Sequence, residues 1–287
     1  MTLDLARYHQ DGFLIVPDVL DRATCQALIE RAYAIIDAFD PAEHRSVFTT
    51  TEQVRTADDW FLGSGDQVRC FLEAEALDAT GALIRPKRGA INKIGHNLHE
   101  LDPVYAPVCQ GPALAAIARG IGMDDPVLIQ SMVIVKPALI GGEVVSHQDS
   151  TFLYTNPLSV TGLWIALEDA TVDNGCLWAL PGGHREALRQ RFHRDPTSPT
   201  GVGFETFDPS PLPEDGFVPL EAAAGTVVVL HGQVPHRSGA NRSTRSRCAF
   251  ALHLIEAAAE YPRDNWLQRT TPAPRFCTQK QGSEQGA

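Results

Sequence analysis

Ten histidines and 35 acidic side chains in 287 residues make a metal site the first chemistry to look for. In an extended segment residues i and i+2 face the same side, so His-x-Asp or His-x-Glu sets an imidazole beside a carboxylate. Four such pairs occur, His9/Asp11, His147/Asp149, His184/Glu186 and His193/Asp195, where chance at this composition supplies about one. Context separates them. His9 precedes Gly12 and Phe13 near the start, His184 follows Pro181-Gly182-Gly183, and His193 falls in a proline-rich stretch. These three read as turns, loop ends or loosely oriented positions. His147 and Asp149 alone lie inside an extended apolar run, between Val144-Val145-Ser146 and Phe152-Leu153-Tyr154.

Two ligands need a third. His236 follows a strand expected over 226–230 and the turn His231-Gly232, so it can arrive from a different strand, with His231 as a rival from the same turn. Two histidines and one carboxylate bind Fe(II) on one face and leave positions open for oxygen chemistry. Ser238 lies two residues on, and Arg247 opens a strand expected over 247–255. Counting by two, Ala249, Ala251 and His253 share the Arg247 face, while Cys248, Phe250, Leu252 and Leu254 share the other. A guanidinium among alanines has room to point inward, and once buried it favours a bidentate carboxylate. A dicarboxylate cosubstrate would supply one.

The elements that must position these residues change character along the chain. A helix is expected from Arg22, capped by Asp21 and stopped by Asp40-Pro41, and a second over 112–121 with Pro112 in its first turn and Gly122 after its end. From Pro126 onward short β-branched runs alternate with Gly, Pro and Asn, over 127–135, 144–154, 160–167, 176–180, 226–230 and 247–255. Repeated short strands of this kind indicate an antiparallel barrel or sandwich. The stretch 185–217 interrupts them and is expected to be a lid-like insertion or a disordered loop. The expected organisation is therefore one domain over 1–287. A helical N-terminal layer covers 1–125, a β core covers 126–256 with its insertion, and a tail covers 257–287.

Composition narrows the function classes. An apolar content of 44% allows a substantial core, and a net charge of −11 offers no field to hold a nucleic-acid backbone or an anionic membrane. No run approaches the ~18 apolar residues of a membrane span, and residues 1–10 lack a cationic segment followed by an apolar one. A soluble cytoplasmic protein acting on a small molecule is expected, with no nucleic-acid or membrane partner and its oligomeric state left open. Cys25, Cys70, Cys109, Cys176, Cys248 and Cys277 are scattered without a C-x-x-C pair, so reduced, mostly buried thiols are expected rather than a zinc or redox motif. The terminal Gln285-Gly286-Ala287 is not the peroxisomal tripeptide.

Several segments together resemble the phytanoyl-CoA dioxygenase family. They are Ser146 through Thr155, Gly162-Leu163-Trp164-Ile165-Ala166-Leu167-Glu168-Asp169-Ala170, Asn174-Gly175-Cys176-Leu177-Trp178, and His231-Gly232 onward through His236, Ser238, Asn241 and Arg247. Ile91-Asn92-Lys93-Ile94-Gly95-His96 and Asn265-Trp266-Leu267-Gln268 extend the likeness over most of the chain. The resemblance implies a mainly β protein with flanking helices around a double-stranded β-helix, or cupin-like jelly roll. It implies an Fe(II)- and 2-oxoglutarate-dependent dioxygenase that uses O2, takes ascorbate as reductant, and releases succinate and CO2 as it hydroxylates a C–H bond.

Residue by residue, the resemblance implies that His147, Asp149 and His236 ligate iron. It implies that Arg247 and Ser238 hold the distal carboxylate of 2-oxoglutarate, and that Lys93, Met132 and Trp164 line the cosubstrate pocket. Taken alone, Lys93 reads as an exposed ammonium, and Met132 and Trp164 read as core packing. Related halogenases have a small residue in place of the carboxylate, so Asp149 points to hydroxylation. The family name suggests an acyl-CoA substrate, and Arg185, Arg189, Arg191 and Arg194 could meet its phosphates if they converge, although a solvated basic face explains them as well. Two other classes use the same residues: a metal-dependent hydrolase on His147, Asp149 and His236, and a non-catalytic binder on the same barrel.

Overall fold

The computed structural model describes residues 2–50 and 57–276; Cys277 and the Gln285-Gly286-Ala287 terminus lie outside the described residues. Seven strands form the large sheet, in the order β1 (Phe13–Val16), β11 (Val227–His231), β6 (Thr161–Ala166), β13 (Arg247–Glu256), β4 (Pro126–Lys136), β3 (Ile91–His96) and β2 (Val68–Leu72). Four more face them, in the order β10 (Val218–Leu220), β7 (Leu177–Ala179), β12 (His236–Ser238) and β5 (Val144–His147). Neighbours within both sheets pair antiparallel. The result is a double-stranded β-helix, and a separate hairpin pairs β8 (Gln190–Arg194) with β9 (Val202–Thr206).

Strand β13 shows how the layers are assigned. Residues 247–255 are all buried, because both faces of this central strand are covered. Phe250, Leu252 and Leu254 pack with Leu28, Ile36 and Ile117 on the helical side, while Ala249 and Ala251 join Trp164, Ala166, Leu177 and Ala179 between the sheets. Each fully buried Leu, Ile or Phe contributes about 1.5–3 kcal/mol, so the helical layer is held chiefly by this apolar face. The alanine side leaves a cavity.

The helices are α1 (Leu5–Asp11), α2 (Arg22–Ala38), α3 (Asp59–Leu62), α4 (Leu98–Leu101), α5 (Tyr105–Cys109) and α6 (Pro112–Gly120). Helix α2 starts where expected, with the Asp21 carboxylate accepting from the Thr24 amide at 2.7 Å, and buries Leu28, Ile29, Ala32 and Ile36 along one face. Helix α6 has Pro112 in its first turn, and Gly122 beyond its end takes φ +94°, where a side chain would be strained. None of the helices among the described residues is long and apolar enough to cross a membrane. The five described cysteines are buried and none forms a disulfide.

Two expectations are corrected. The first 125 residues are more than a helical layer, since β1, β2 and β3 extend the large sheet on both edges. Their short lengths and local Gly and Pro hid the pairing. The stretch 185–217 is not a disordered loop but an insertion whose residues 190–206 form the β8–β9 hairpin. Its β8–β9 hairpin buries Phe192 completely, bridges His193 to Asn265, and donates from the Arg194 amide to the Asp264 carbonyl at 2.7 Å. Long-range pairing, invisible to local periodicity, orders it.

Candidate active site

His147 and His236 end up opposite each other because β5 and β12 pair in antiparallel register with these two residues as partners. Their ring centroids are 4.2 Å apart. Each Nδ1 meets the carbonyl two residues earlier, His147 on Val145 at 2.9 Å and His236 on Val234 at 3.1 Å. A proton on Nδ1 donates there and leaves the Nε2 lone pair free to ligate. Both Nε2 atoms lie 3.6 Å from one oxygen of Asp149, Oδ1. Strand β5 ends at His147, but Gln148 stays extended (φ −113°, ψ 131°) before Asp149 opens a short 3-10 turn. The i, i+2 relation therefore survives although the long strand expected over 144–154 does not.

Potential ligand atoms of His147, Asp149 and His236 all lie within 4.8 Å of one another, the one such grouping found among the described residues. Burial pushes the His236 imidazole down to about 4, against the opposing pull of Asp149. Burial by itself would raise the Asp149 carboxyl. The surrounding imidazoles of His236, His253 and His147 outweigh it and hold the carboxyl well below the usual range. At neutral pH His236 is thus a neutral imidazole beside a carboxylate, the protonation state that metal ligation requires.

Arg247 occupies the other end of the same cavity, which has a volume of about 170 Å³. Its guanidinium lies 5.4 Å from the Trp164 ring centroid, donates from Nε to the Gly175 carbonyl at 3.2 Å, and reaches the Ser238 hydroxyl at 3.5 Å. Nη1 is buried with no hydrogen-bond partner among the described residues. A buried, unpaired guanidinium N–H is costly, so the site fits a carboxylate arriving from outside the chain. Burial pushes the Arg247 pKa down to about 10, which leaves it charged at neutral pH.

All eight residues singled out in the sequence, His147, Asp149, His236, Arg247, Ser238, Lys93, Met132 and Trp164, line this one cavity. Lys93 is not exposed, as its residue type alone suggested. It is 4% exposed, and its Nζ lies 3.3 Å from the Phe48 ring centroid and 5.0 Å from that of Phe61. Burial holds its pKa well below the ordinary lysine value, and the contacts to the ring faces partly compensate. The rival His231 does not join the group: its ring lies tilted beside His184, centroids 5.2 Å apart, and its Nδ1 accepts from the Gln233 amide at 3.2 Å.

Sequence reasoning passed over His253, Gln130, Gly162 and Lys136. The first three form one row across the sheet, Gln130 and Gly162 being the cross-strand partners of His253. Alternation along β13 put His253 on the Arg247 face but carried no sign of what it would meet. Lys136, the partner of Arg247, is buried and donates to the carbonyls of Gly142 and Gly239, at 2.8 Å to the latter.

The four insertion arginines do not converge. Arg185 donates to the Gln10 carbonyl at 2.6 Å, Arg189 pairs with Glu186 and Asp208, Arg191 with Asp264 and Glu205, and Arg194 donates to the carbonyls of Leu62 and Trp266. Each is committed to a partner within the chain, so they build no phosphate cradle.

This chain, with two histidines and an aspartate at one end of its β-helix cavity and a buried arginine at the other, is similar to several known proteins. The phytanoyl-CoA dioxygenase (PhyH) family model matches residues 8–249. Phytanoyl-CoA dioxygenase domain-containing protein 1 of Bos taurus is 42% identical over 279 residues, covering 94% of this chain and 95% of its own. Phytanoyl-CoA dioxygenase of Arabidopsis thaliana is 40% identical over 271 residues, covering 94% of each. Among solved structures, the epimerase SnoN in complex with Fe3+, alpha ketoglutarate and nogalamycin RO superposes with a TM-score of 0.62 at 18% identity, over 95% of this chain and 92% of that one. EctD from S. alaskensis with 2-oxoglutarate and 5-hydroxyectoine gives 0.63 at 19%, over 96% and 86%. The chain belongs to the phytanoyl-CoA dioxygenase family.

Proposed function

We propose that this protein is an Fe(II)- and 2-oxoglutarate-dependent dioxygenase that hydroxylates a C–H bond of a small molecule. His147, Asp149 and His236 would hold the iron through two neutral imidazoles and one carboxylate oxygen. Arg247, with Ser238, would take the distal carboxylate of 2-oxoglutarate, while Lys93, Met132 and Trp164 line the remaining walls. When bound, iron and 2-oxoglutarate supply with O2 the oxidising chemistry, with succinate and CO2 as co-products and ascorbate keeping the metal reduced.

The chain's own contribution is binding and exclusion. The carbonyls of Val145 and Val234 hold the imidazole rings in one orientation. Ala251 of β13 lines the cavity without filling it, and Phe48, Phe61, Phe152 and Trp266 give the cavity an apolar wall. Water displaced from that wall no longer screens the charges inside.

The observation that carries this reading is the unpartnered Nη1 of Arg247 in the same cavity as the three candidate ligands. A metal-dependent hydrolase would use the ligands but gives the guanidinium no task, and a non-catalytic binder explains neither. Anaerobic titration with Fe(II) and 2-oxoglutarate separates the three, because only the chelate of both produces a visible metal-to-ligand charge-transfer band. Absence of that band in folded protein would remove the proposal. The paired insertion arginines weaken the case for a CoA ester, so a screen of small metabolites read by succinate release is the route to the substrate.

A further inference from the structure

We infer that His253 is a positioning residue for Asp149, holding the carboxylate so that only one of its oxygens faces the two histidines of the metal site. The inference rests on reading His147, Asp149 and His236 as that site, and it gives a task to a residue outside the set.

The carboxylate of Asp149 bridges the two sheets. Oδ1 lies 3.6 Å from Nε2 of both His147 and His236 on the small sheet, while Oδ2 lies 3.5 Å from Nε2 of His253 on the large one. Oδ2 is buried with no hydrogen bond from any described residue, so the 3.5 Å approach of His253 is a charge contact that stops short of one, and Nδ1 of His253 is also buried without a partner. Nδ1 of His147 and of His236 is tied to a backbone carbonyl, whereas the His253 ring makes no backbone hydrogen bond among the described residues. Among the described residues the one polar contact of the His253 side chain is this carboxylate, and the residue is 7% exposed.

The neighbouring strand is shaped for the same contact. Gly162 is the cross-strand partner of His253. A Cβ there would lie 3.0 Å from Asp149 Oδ2 and 3.8 Å from His253 Cδ2. Glycine thus leaves free the space in which imidazole and carboxylate meet.

The consequence is a count of coordination positions. A carboxylate offering one oxygen occupies one position and a bidentate carboxylate occupies two. With two imidazoles, a one-oxygen Asp149 leaves three of six positions, enough for a two-point chelator and O2. Drawing Oδ2 toward the opposite sheet preserves them.

Co(II) titration of the metal-free full chain, followed by visible absorption and calorimetry, tests this. His253→Phe keeps an aromatic ring and removes both nitrogens. Its Co(II) Kd is expected to rise about 10–100-fold, the usual cost of losing a partner behind a metal ligand, with no fall in the melting temperature of the metal-free protein. His253→Gln, whose amide N–H falls near the Nε2 position, is expected to return the Kd to within about threefold of wild type. Should His253→Phe not fold, Gly162→Ala presses on Oδ2 from the other side, and a rise of at least about tenfold is expected. Wild-type Co(II) affinity in folded His253→Phe or in Gly162→Ala, or no recovery in His253→Gln, overturns the assignment. Failure of the wild-type chain to bind Co(II) at all overturns instead the reading of the triad, and this inference falls with it.

Discussion

His147 and His236 are direct cross-strand partners whose Nδ1 atoms are tied by the same device, a carbonyl two residues earlier at 2.9 and 3.1 Å. Both rings are therefore oriented before any ligand arrives, which lowers the ordering cost of forming the site. Asp149 is the single anion among the three. Asp149→Ala is expected to weaken Fe(II) binding at least about a hundredfold and to abolish oxygenation. Succinate release under saturating 2-oxoglutarate checks it, and an unchanged rate would take Asp149 out of the metal site.

Arg247 offers a sharper test because it should matter to the cosubstrate and not to the metal. Removing one member of a buried ion pair costs about 3–5 kcal/mol, equivalent to a rise in Kd of roughly 10²-fold to several thousandfold. Arg247→Gln is expected to show that loss for 2-oxoglutarate while its Co(II) affinity stays at the wild-type value. Arg247→Lys should recover little, since an ammonium lacks the planar fork. Trp164 beneath the guanidinium provides the fluorescence signal, and wild-type 2-oxoglutarate affinity in Arg247→Gln would remove the carboxylate assignment.

The site was more legible in the sequence than the architecture around it. His147, Asp149 and Arg247 could be placed because each belongs to a short extended run whose period of two is a local property. The inward face of Arg247 followed from Ala249 and Ala251 alone. His253 lay on that same face, but its task depends on Asp149, which reaches it from the other sheet. Lys93 looked like surface because nothing near it in sequence announces that Phe48, Phe61 and Phe71 gather around its ammonium. The strand at Ile91–His96 was missed as part of the sheet for the same reason: its partners are Val68–Leu72 and Pro126–Lys136. Residues far apart in the chain decide these features.

The β8–β9 hairpin lies outside the cavity lining but is fastened behind it by Arg194. Its guanidinium donates to the Leu62 carbonyl at 2.6 Å and to the Trp266 carbonyl at 3.0 Å, and Phe61 and Trp266 stack at 4.3 Å against the cavity. Arg194→Ala strands two carbonyls and is expected to cost about 1–3 kcal/mol. Urea unfolding should show a lower midpoint at unchanged slope. A lid that swings free of the domain would lose nothing, so a wild-type midpoint would restore the lid reading.

Lys136 gives the chain a predictable pH dependence. Burial, reinforced by the neighbouring Arg247 charge, pushes its pKa down to about 7, against about 10.4 in an unfolded chain. Between those values the unfolded state holds the proton and the folded state does not, so this group makes stability rise with pH across the window. Below about pH 7 both states are protonated and the full cost of burying the ammonium is present. Lys136→Met removes the charge at similar length and forfeits the bonds to the Gly142 and Gly239 carbonyls, an offset that is the same at every pH. The stability of Lys136→Met relative to wild type is therefore expected to be greatest near pH 6 and to decline steadily toward pH 9. Thermal melts of the metal-free protein should register about 2–4 °C for each kcal/mol relieved. A difference that stays flat over that range would mean that the buried ammonium keeps its ordinary pKa.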